Sequence, residues 1–121
     1  MGGVTGDNIE GLSNFSVGSL AVAAGTTTLV TAKPGFTPVV ETIVMSLDAA
    51  AAVATAEIQS SSGDDGVRIK ADATATTTMA VSRMKLKAAA GESIDIVVAG
   101  AGATCDVYVD GRWIANEANF S

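Results

Sequence analysis

Residues 39–47 read Val-Val-Glu-Thr-Ile-Val-Met-Ser-Leu, and their side chains alternate between two faces. One face carries Val39, Glu41, Ile43, Met45 and Leu47, and the other carries Val40, Thr42, Val44 and Ser46. A period of two is typical of a β-strand that buries one face. This stretch therefore predicts a strand, and the pattern recurs along the chain.

Further short segments show the same alternation and lie between turn signals rich in Gly, Pro, Ser and Asp. The additional predicted strands are residues 26–33, 53–59, 67–71, 83–87, 92–99 and 104–109. About eight short strands at this spacing predict an all-β fold, an antiparallel β-sandwich or jelly roll. A short helical turn over 48–56 stays open, because four consecutive alanines favour helix.

Asp110-Gly111 is the strongest turn signal in the chain. An Asp-Gly pair between apolar segments favours a two-residue type I′ loop. The sequence therefore predicts a hairpin in which residues 107–109 pair with residues 112–114.

In that hairpin Tyr108 lies opposite Trp113, and Val107 lies opposite Ile114. Cross-strand partners share a face. We therefore expect Val107 and Ile114 in the core, with Tyr108 and Trp113 stacked on the other face. Since Trp and Tyr are enriched at binding hot spots, this pair is a predicted interface anchor, and a locally stabilising pair is the alternative.

The composition excludes several classes of function. The chain has 121 residues, a net charge of −6, no histidine and one cysteine. Its acidity disfavours nucleic-acid binding, and the missing histidine excludes Ser-His-Asp and Cys-His catalysis. Cys105 shares a face with Val107 and Val109, which predicts a buried structural thiol. No catalytic residue, cofactor or metal is predicted.

Two local motifs are better explained by turns than by ligands. Asp64-Asp65 lacks the residue spacing of an EF-hand loop. Gly100-Ala101-Gly102 lacks the remaining residues of a phosphate-binding loop. We also expect no membrane segment and no secretory signal, because the apolar runs are much shorter than about 20 residues.

The sequence divides into an extended N-terminal arm, residues 1–25, and a β-sandwich domain, residues 26–121. The arm has scattered apolar residues without a regular period, which suits burial on a neighbouring subunit or on the chain's own core, with a partly disordered tail as the alternative. The predicted arm contacts are Val4, Ile9, Leu12, Phe15 and Leu20. A small core with few aromatic rings also favours a homo-oligomer.

Most of the basic residues lie in two predicted strands. They are Arg68, Lys70, Arg83, Lys85 and Lys87, five of the seven basic residues. If the two strands are neighbours, these side chains form a basic stripe that could contact carboxylates of a partner. A solvated polar face is the alternative.

The order of these features resembles small tailed-bacteriophage virion proteins, above all head decoration (cement) proteins. A Gly/Ser-rich arm precedes Ala/Thr/Val-rich strands, residues 86–94 read Leu-Lys-Ala-Ala-Ala-Gly-Glu-Ser-Ile, and Val107-Tyr108-Val109 follows. The resemblance covers residues 26–114. It is one of composition and order rather than of a diagnostic motif, so no functional residue is carried over.

The resemblance implies a non-enzymatic protein, often a homotrimer, that is made in the host cytoplasm and stabilises the outer surface of a phage capsid. Its partners would be the major capsid protein or other virion proteins, with no nucleic acid and no membrane. Two alternatives stay open. One is another virion component, such as a tail, fibre or head–tail junction protein. The other is a carbohydrate-binding β-sandwich module that uses Tyr108 and Trp113 as a sugar platform.

Overall fold

The computed structural model describes residues 14–60, 66–88 and 91–115, which contain nine β-strands and no helix. The strands are β1 (Asn14–Ala23), β2 (Gly25–Val30), β3 (Phe36–Asp48), β4 (Ala54–Ser60), β5 (Val67–Ala71), β6 (Thr76–Val81), β7 (Leu86–Lys87), β8 (Ile94–Ala99) and β9 (Thr104–Ala115). The all-β prediction is confirmed. The helical turn considered for residues 48–56 does not form, and β4 occupies its second part. In the part of the chain described, no helix has the length and hydrophobicity that a bilayer crossing needs.

The strands form two antiparallel sheets. Sheet 1 has the order β1-β9-β3-β6, with β7 also paired to β3, and sheet 2 has the order β2-β8-β4-β5. The pairings are nested, since β1 pairs with β9, β2 with β8, β3 with β6, and β4 with β5. This nesting is typical of a jelly roll, in which one long hairpin folds over into two layers, here sheets of five and four strands.

The core lies between the two sheets and is built from small aliphatic side chains. At the start of β3 the alternation fails, since Val39 and Val40 are both buried, but elsewhere it matches most of the buried core residues. They include Ile43, Met45 and Leu47 of β3, Ala54, Ala56 and Ile58 of β4, Ile94, Ile96 and Val98 of β8, and Cys105, Val107 and Val109 of β9. The alternation predicted along these strands is therefore confirmed, and the structure shows which face of each strand is buried.

One edge of β3 is interrupted where the strand bulges at Glu41. The pairing of β3 with β9 shifts register between Val40 and Thr42. On the other side of β3, β6 pairs up to Ile43, and β7 resumes at Val40. The backbone N–H of Met84 donates to the Glu41 carbonyl at 3.1 Å, so the connection between β6 and β7 follows the bulge.

The predicted hairpin at Asp110-Gly111 is wrong. Both residues lie inside β9, which pairs with β3 over its whole length, from Phe36 opposite Ala115 to Asp48 opposite Thr104. A turn at Asp110 would remove the partner from half of a 13-residue strand. Long-range pairing therefore overrides the local turn preference.

The boundary drawn at residue 25 is also wrong for the described residues. Residues 14–23 form β1, and Val17 pairs with Val109 inside sheet 1. Residues 1–13 lie outside the described residues. A further difference is β6, residues 76–81, for which the sequence analysis predicts no strand.

Gly111 is required by close packing rather than by a turn. A Cβ atom at this position would overlap the carbonyl oxygen of Val39 and lie 2.9 Å from Cζ of Phe15. At Gly18, in contrast, an added Cβ atom would make an ordinary contact of 3.9 Å with Cδ1 of Tyr108.

We expect Gly111→Ala to lower the free energy of unfolding by about 3 kcal/mol, because the β3–β9 backbones cannot separate without losing their pairing. Gly18→Ala is the matched control and should change it by less than about 1 kcal/mol. Urea denaturation of both variants measures the difference. Equal tolerance of both substitutions would contradict the placement of Gly111 between two paired strands.

Candidate functional site

The outward-facing side chains of sheet 1 form the candidate site. Gly18, Tyr108, Val44 and Ala80 lie side by side across β1, β9, β3 and β6, and we call them the apolar row. Val44 is 38% exposed and Tyr108 is 37% exposed. The row therefore presents apolar surface to the solvent across the whole width of the sheet.

Tyr108 is held in place by its neighbours. Its hydroxyl donates to Oδ2 of Asp110 at 2.8 Å and accepts from Oγ of Ser16 at 3.1 Å. Its ring lies against the backbone of Gly18, where there is no side chain. An aromatic ring fixed in this way loses little conformational entropy when a partner covers it.

A β-bulge in β1 turns Leu20 toward the solvent. The pairing of β1 with β9 shifts register between Ser19 and Val22, and Ala21 has a φ of 52°. A positive φ is uncommon for a residue other than glycine. Oδ1 of Asp106 accepts a hydrogen bond from the Ala21 N–H at 2.8 Å and so stabilises the bulge. Leu20 is left 81% exposed.

A shallow groove connects Leu20 with the apolar row. Its volume is about 160 Å³, and its lining residues are Leu20, Val44, Ser46, Asp106, Val107 and Tyr108. Sites for drug-sized ligands are usually about 300–1,000 Å³ and enclose most of the ligand. The groove is smaller and open, so its size suits one or two side chains of a protein partner.

An open polar cleft of about 400 Å³ lies next to the groove on the same sheet. Its lining residues are Glu41, Thr42, Ser82, Arg83, Met84, Lys85 and Asp110. At its border, Nε of Arg112 lies 3.4 Å from Oε2 of Glu41, and both side chains are about half exposed. Exposed pairs of this kind contribute about 0–1 kcal/mol. The cleft can add charged contacts at the rim of an interface.

Two further pairs of polar side chains on this face bond across the strands. Oγ1 of Thr76 donates to Oδ1 of Asp48 at 2.8 Å, and the hydroxyls of Ser46 and Thr78 lie 3.2 Å apart. Within the described ranges no three His, Cys, Asp or Glu side chains gather as metal ligands. Asp64 and Asp65 lie outside the described residues.

Cys105 is fully buried on the inner face of β9, as the sequence predicts. Burial raises the pKa of its thiol from 9.0 to about 11, and the nearby Asp106 charge adds to the rise against a hydrogen bond from the Ser46 backbone. The thiol is therefore protonated at neutral pH. A protonated, buried thiol is a poor nucleophile.

The prediction that Tyr108 and Trp113 share a face is wrong. They lie five residues apart on one continuous strand, so their side chains point to opposite sides of sheet 1. Trp113 packs against the core and meets the Phe15 ring edge-on, with the ring centroids 5.5 Å apart. Ile114, expected in the core, is 38% exposed instead.

Lys33 completes the cluster around Trp113. Its Nζ lies 5.3 Å from the Trp113 ring centroid and 4.8 Å from that of Phe36. The cluster joins the start of β1, the connection between β2 and β3, and the end of β9. Phe15 and Trp113 therefore stabilise the fold.

The predicted basic residues do not form one stripe on paired strands. Arg68 and Lys70 are exposed on β5 at the edge of sheet 2, where β5 pairs with β4. Lys87 lies on β7 at the edge of sheet 1, and Arg83 and Lys85 are exposed just before it. All five lie on the edges formed by β5, β6 and β7, divided between two sheets.

Some predicted site residues are not described by the structure, and some residues of the observed site were not predicted. Val4, Ile9 and Leu12 lie outside the described residues. Asp106 and Asp110, which support the bulge and the tyrosine, were not predicted as site residues. The available signal was their position beside Tyr108 on the polar face of a strand whose other face is apolar.

No protein-family model and no curated protein matches the sequence. Two solved structures are similar at 10% identity. A chain of the Bacillus endospore appendages, described as disulfide-linked pili, has a TM-score of 0.37 and covers 84% of each chain. A family two carbohydrate esterase from Cellvibrio japonicus has a TM-score of 0.39, over 84% of this chain and 36% of that chain.

We expect Trp113→Ala to lower the free energy of unfolding by about 2 kcal/mol, because a ring that packs against the core is lost. Tyr108→Ala should lower it by less than about 1 kcal/mol, since its ring and hydrogen bonds are exposed. Urea denaturation, followed by circular dichroism, compares the two variants. A larger loss for Tyr108→Ala would contradict the assigned faces.

Proposed function

We propose that this chain is a non-enzymatic structural protein that docks on a larger protein assembly through the outer face of sheet 1. The specific form that we propose is a decoration protein on the outer surface of a phage capsid, with the major capsid protein as its partner. The observation that supports docking is the apolar row with its groove, held by the hydrogen bonds of Tyr108 and by the bulge at Ala21.

The contrast between the two outer faces supports the choice of sheet 1. On sheet 2, the matching row runs Thr26, Val97, Glu57 and Arg68. Charged and hydroxyl side chains dominate that row, as on an ordinary solvated face. Interface centres are depleted in charged residues and enriched in aromatic ones. The row of sheet 1, with Tyr108 and Val44 at its middle, fits that description better.

The capsid form of the proposal depends on the sequence resemblance and agrees with the architecture. Jelly rolls occur in viral capsid proteins and also in lectins and cupins, so the fold alone does not assign a function. The net charge of −6 suits a protein on the outside of a shell packed with DNA, since it is repelled by phosphate.

The carbohydrate-binding alternative loses its main support. It required Tyr108 and Trp113 on one face as a sugar platform, but Trp113 packs inward against the core. A tail, fibre or head–tail junction role uses the same kind of docking face. Copy number distinguishes that role from decoration.

We expect the chain to be present in purified virions of the encoding phage in a copy number comparable to that of the major capsid protein. Decoration requires many equivalent sites over the shell, whereas a junction protein occupies few. Quantitative mass spectrometry with labelled standard peptides gives the ratio. A ratio far below that range would favour the junction role, and absence from the particles would refute the virion proposal.

The docking face itself is tested with particles stripped of the chain. Leu20→Gln combined with Val44→Gln should weaken rebinding at least tenfold, because the groove loses its apolar lining. The matched control is Val97→Gln combined with Thr55→Gln on the outer face of sheet 2, which should rebind like the wild type. The reverse result would move the docking site to sheet 2.

A further inference from the structure

The four edges of the two sheets differ in charge. On one side of the sandwich, the edge of sheet 2 is β5, which carries Arg68 and Lys70. The edge of sheet 1 on that side carries Lys87 on β7, and Arg83 and Lys85 in the connection from β6 to β7. On the other side, β1 and β2 carry no charged residue. Charged side chains are a common protection of edge strands against pairing with another chain. Only one side of this sandwich has that protection.

The uncharged side coincides with a long uncharged stretch of sequence. Residues 11–32 contain no Asp, Glu, Lys, Arg or Pro, although charged residues make up 17% of the chain. The stretch includes all of β1 and β2, whose ends are separated by Ala24 alone. Both sheets therefore present an unprotected edge at the same side of the molecule.

The part of β1 before the bulge is suited to pairing. Residues 14–19 keep a regular register with β9, and in the described structure their other side has no strand partner. The bulge that follows interrupts the edge, which limits pairing to this six-residue segment. At its end, Leu20 is 81% exposed on the outer face.

We propose that two copies of this chain associate edge to edge through residues 14–19 of β1, with the two strands antiparallel about a two-fold axis. We assign a second copy of the chain as the strand that pairs with this edge, and the reason is the distribution of charge. Each copy carries −6, and two such chains repel least where their contact surfaces are neutral. A two-fold contact brings identical surfaces together, and β1 is a neutral surface. This association goes beyond the proposed docking and uses the edge of sheet 1 rather than its face.

The proposal is tested by placing a charge on the edge. Ser16 and Thr78 are exposed hydroxyl residues on the outer face of sheet 1, one on β1 and one on the opposite edge strand, β6. Each makes one exposed side-chain hydrogen bond. Ser16→Lys places like charges near each other in the two-fold pair, so the dimer dissociation constant should rise at least tenfold. Thr78→Lys, the matched control, should leave it unchanged.

Sedimentation velocity across a dilution series measures the dissociation constants, and circular dichroism verifies the fold of each variant. In the wild type, amide hydrogen exchange of residues 14–19 should slow as concentration rises. A monomeric wild type, a trimer or an equal effect of both substitutions would overturn the proposal. A wild-type monomer that associates once residues 1–13 are deleted would also overturn it, because the N-terminal segment would then cover the edge. A wild-type chain that dimerises but does not bind the stripped particles would refute only the proposed docking.

Discussion

The antiparallel pairing of β3 with β9 is the constraint on which the rest of the structure depends. It runs the full length of both strands and places the core residues of sheet 1 opposite one another, as in the pair Met45 and Val107. Between β3 and β9 the backbones approach so closely at Gly111 that no side chain fits. At Glu41, β3 has one extra residue relative to β9. On either side of this bulge, paired residues of the two strands still face the same way. The pairing of β3 with β9, including its bulge, therefore determines which side chains lie on each face of sheet 1.

The parts of the fold that the sequence predicts are those whose local pattern matches their tertiary environment. Strand β5 was predicted at its observed bounds, because Ile69 and Ala71 face the core while Arg68 and Lys70 face the solvent. Strand β6 was missed for the opposite reason. It lies at an edge, both its faces are partly exposed, and its three threonines carry no contrast between inside and outside. Edge strands are specified mainly by the strand beside them.

The error at Asp110-Gly111 shows how one local choice reverses a functional conclusion. A two-residue loop at Asp110-Gly111 would pair Tyr108 with Trp113 across the hairpin. Cross-strand partners share a face, so the two rings would lie together. A continuous strand separates odd from even positions, and the same two rings lie on opposite faces. The local residues fit both readings, since aspartate suits a turn and also suits the exposed face beside Tyr108. Only the long partner strand, 13 residues of β3, decides between them.

The candidate site was predictable in part. The sequence places Tyr108 on the face away from Val107, and alternation places Val44 on the face of β3 opposite Ile43, without deciding which face of β3 is the outer one. The link between them is the register of two strands that lie far apart in the sequence, which a periodic pattern does not contain. The exposure of Leu20 depends on a bulge that Asp106 stabilises across the sheet. A site of this kind arises from pairing between strands, so its residues can be recognised one by one while its shape cannot.

The outer face of sheet 1 and the β1 edge, both uncovered among the described residues, have different physical characters. The outer face of sheet 1 offers side chains, and in the proposed docking its apolar row meets a partner of complementary shape. The β1 edge offers backbone N–H and C=O groups, which any extended strand can satisfy, so its selectivity must come from charge and from the bulge. Because the acidic charge discourages other contacts between copies, a neutral edge can direct association to one side. The same small, ring-poor sandwich can then present its outer face from a paired unit, in which two apolar rows lie in one continuous sheet.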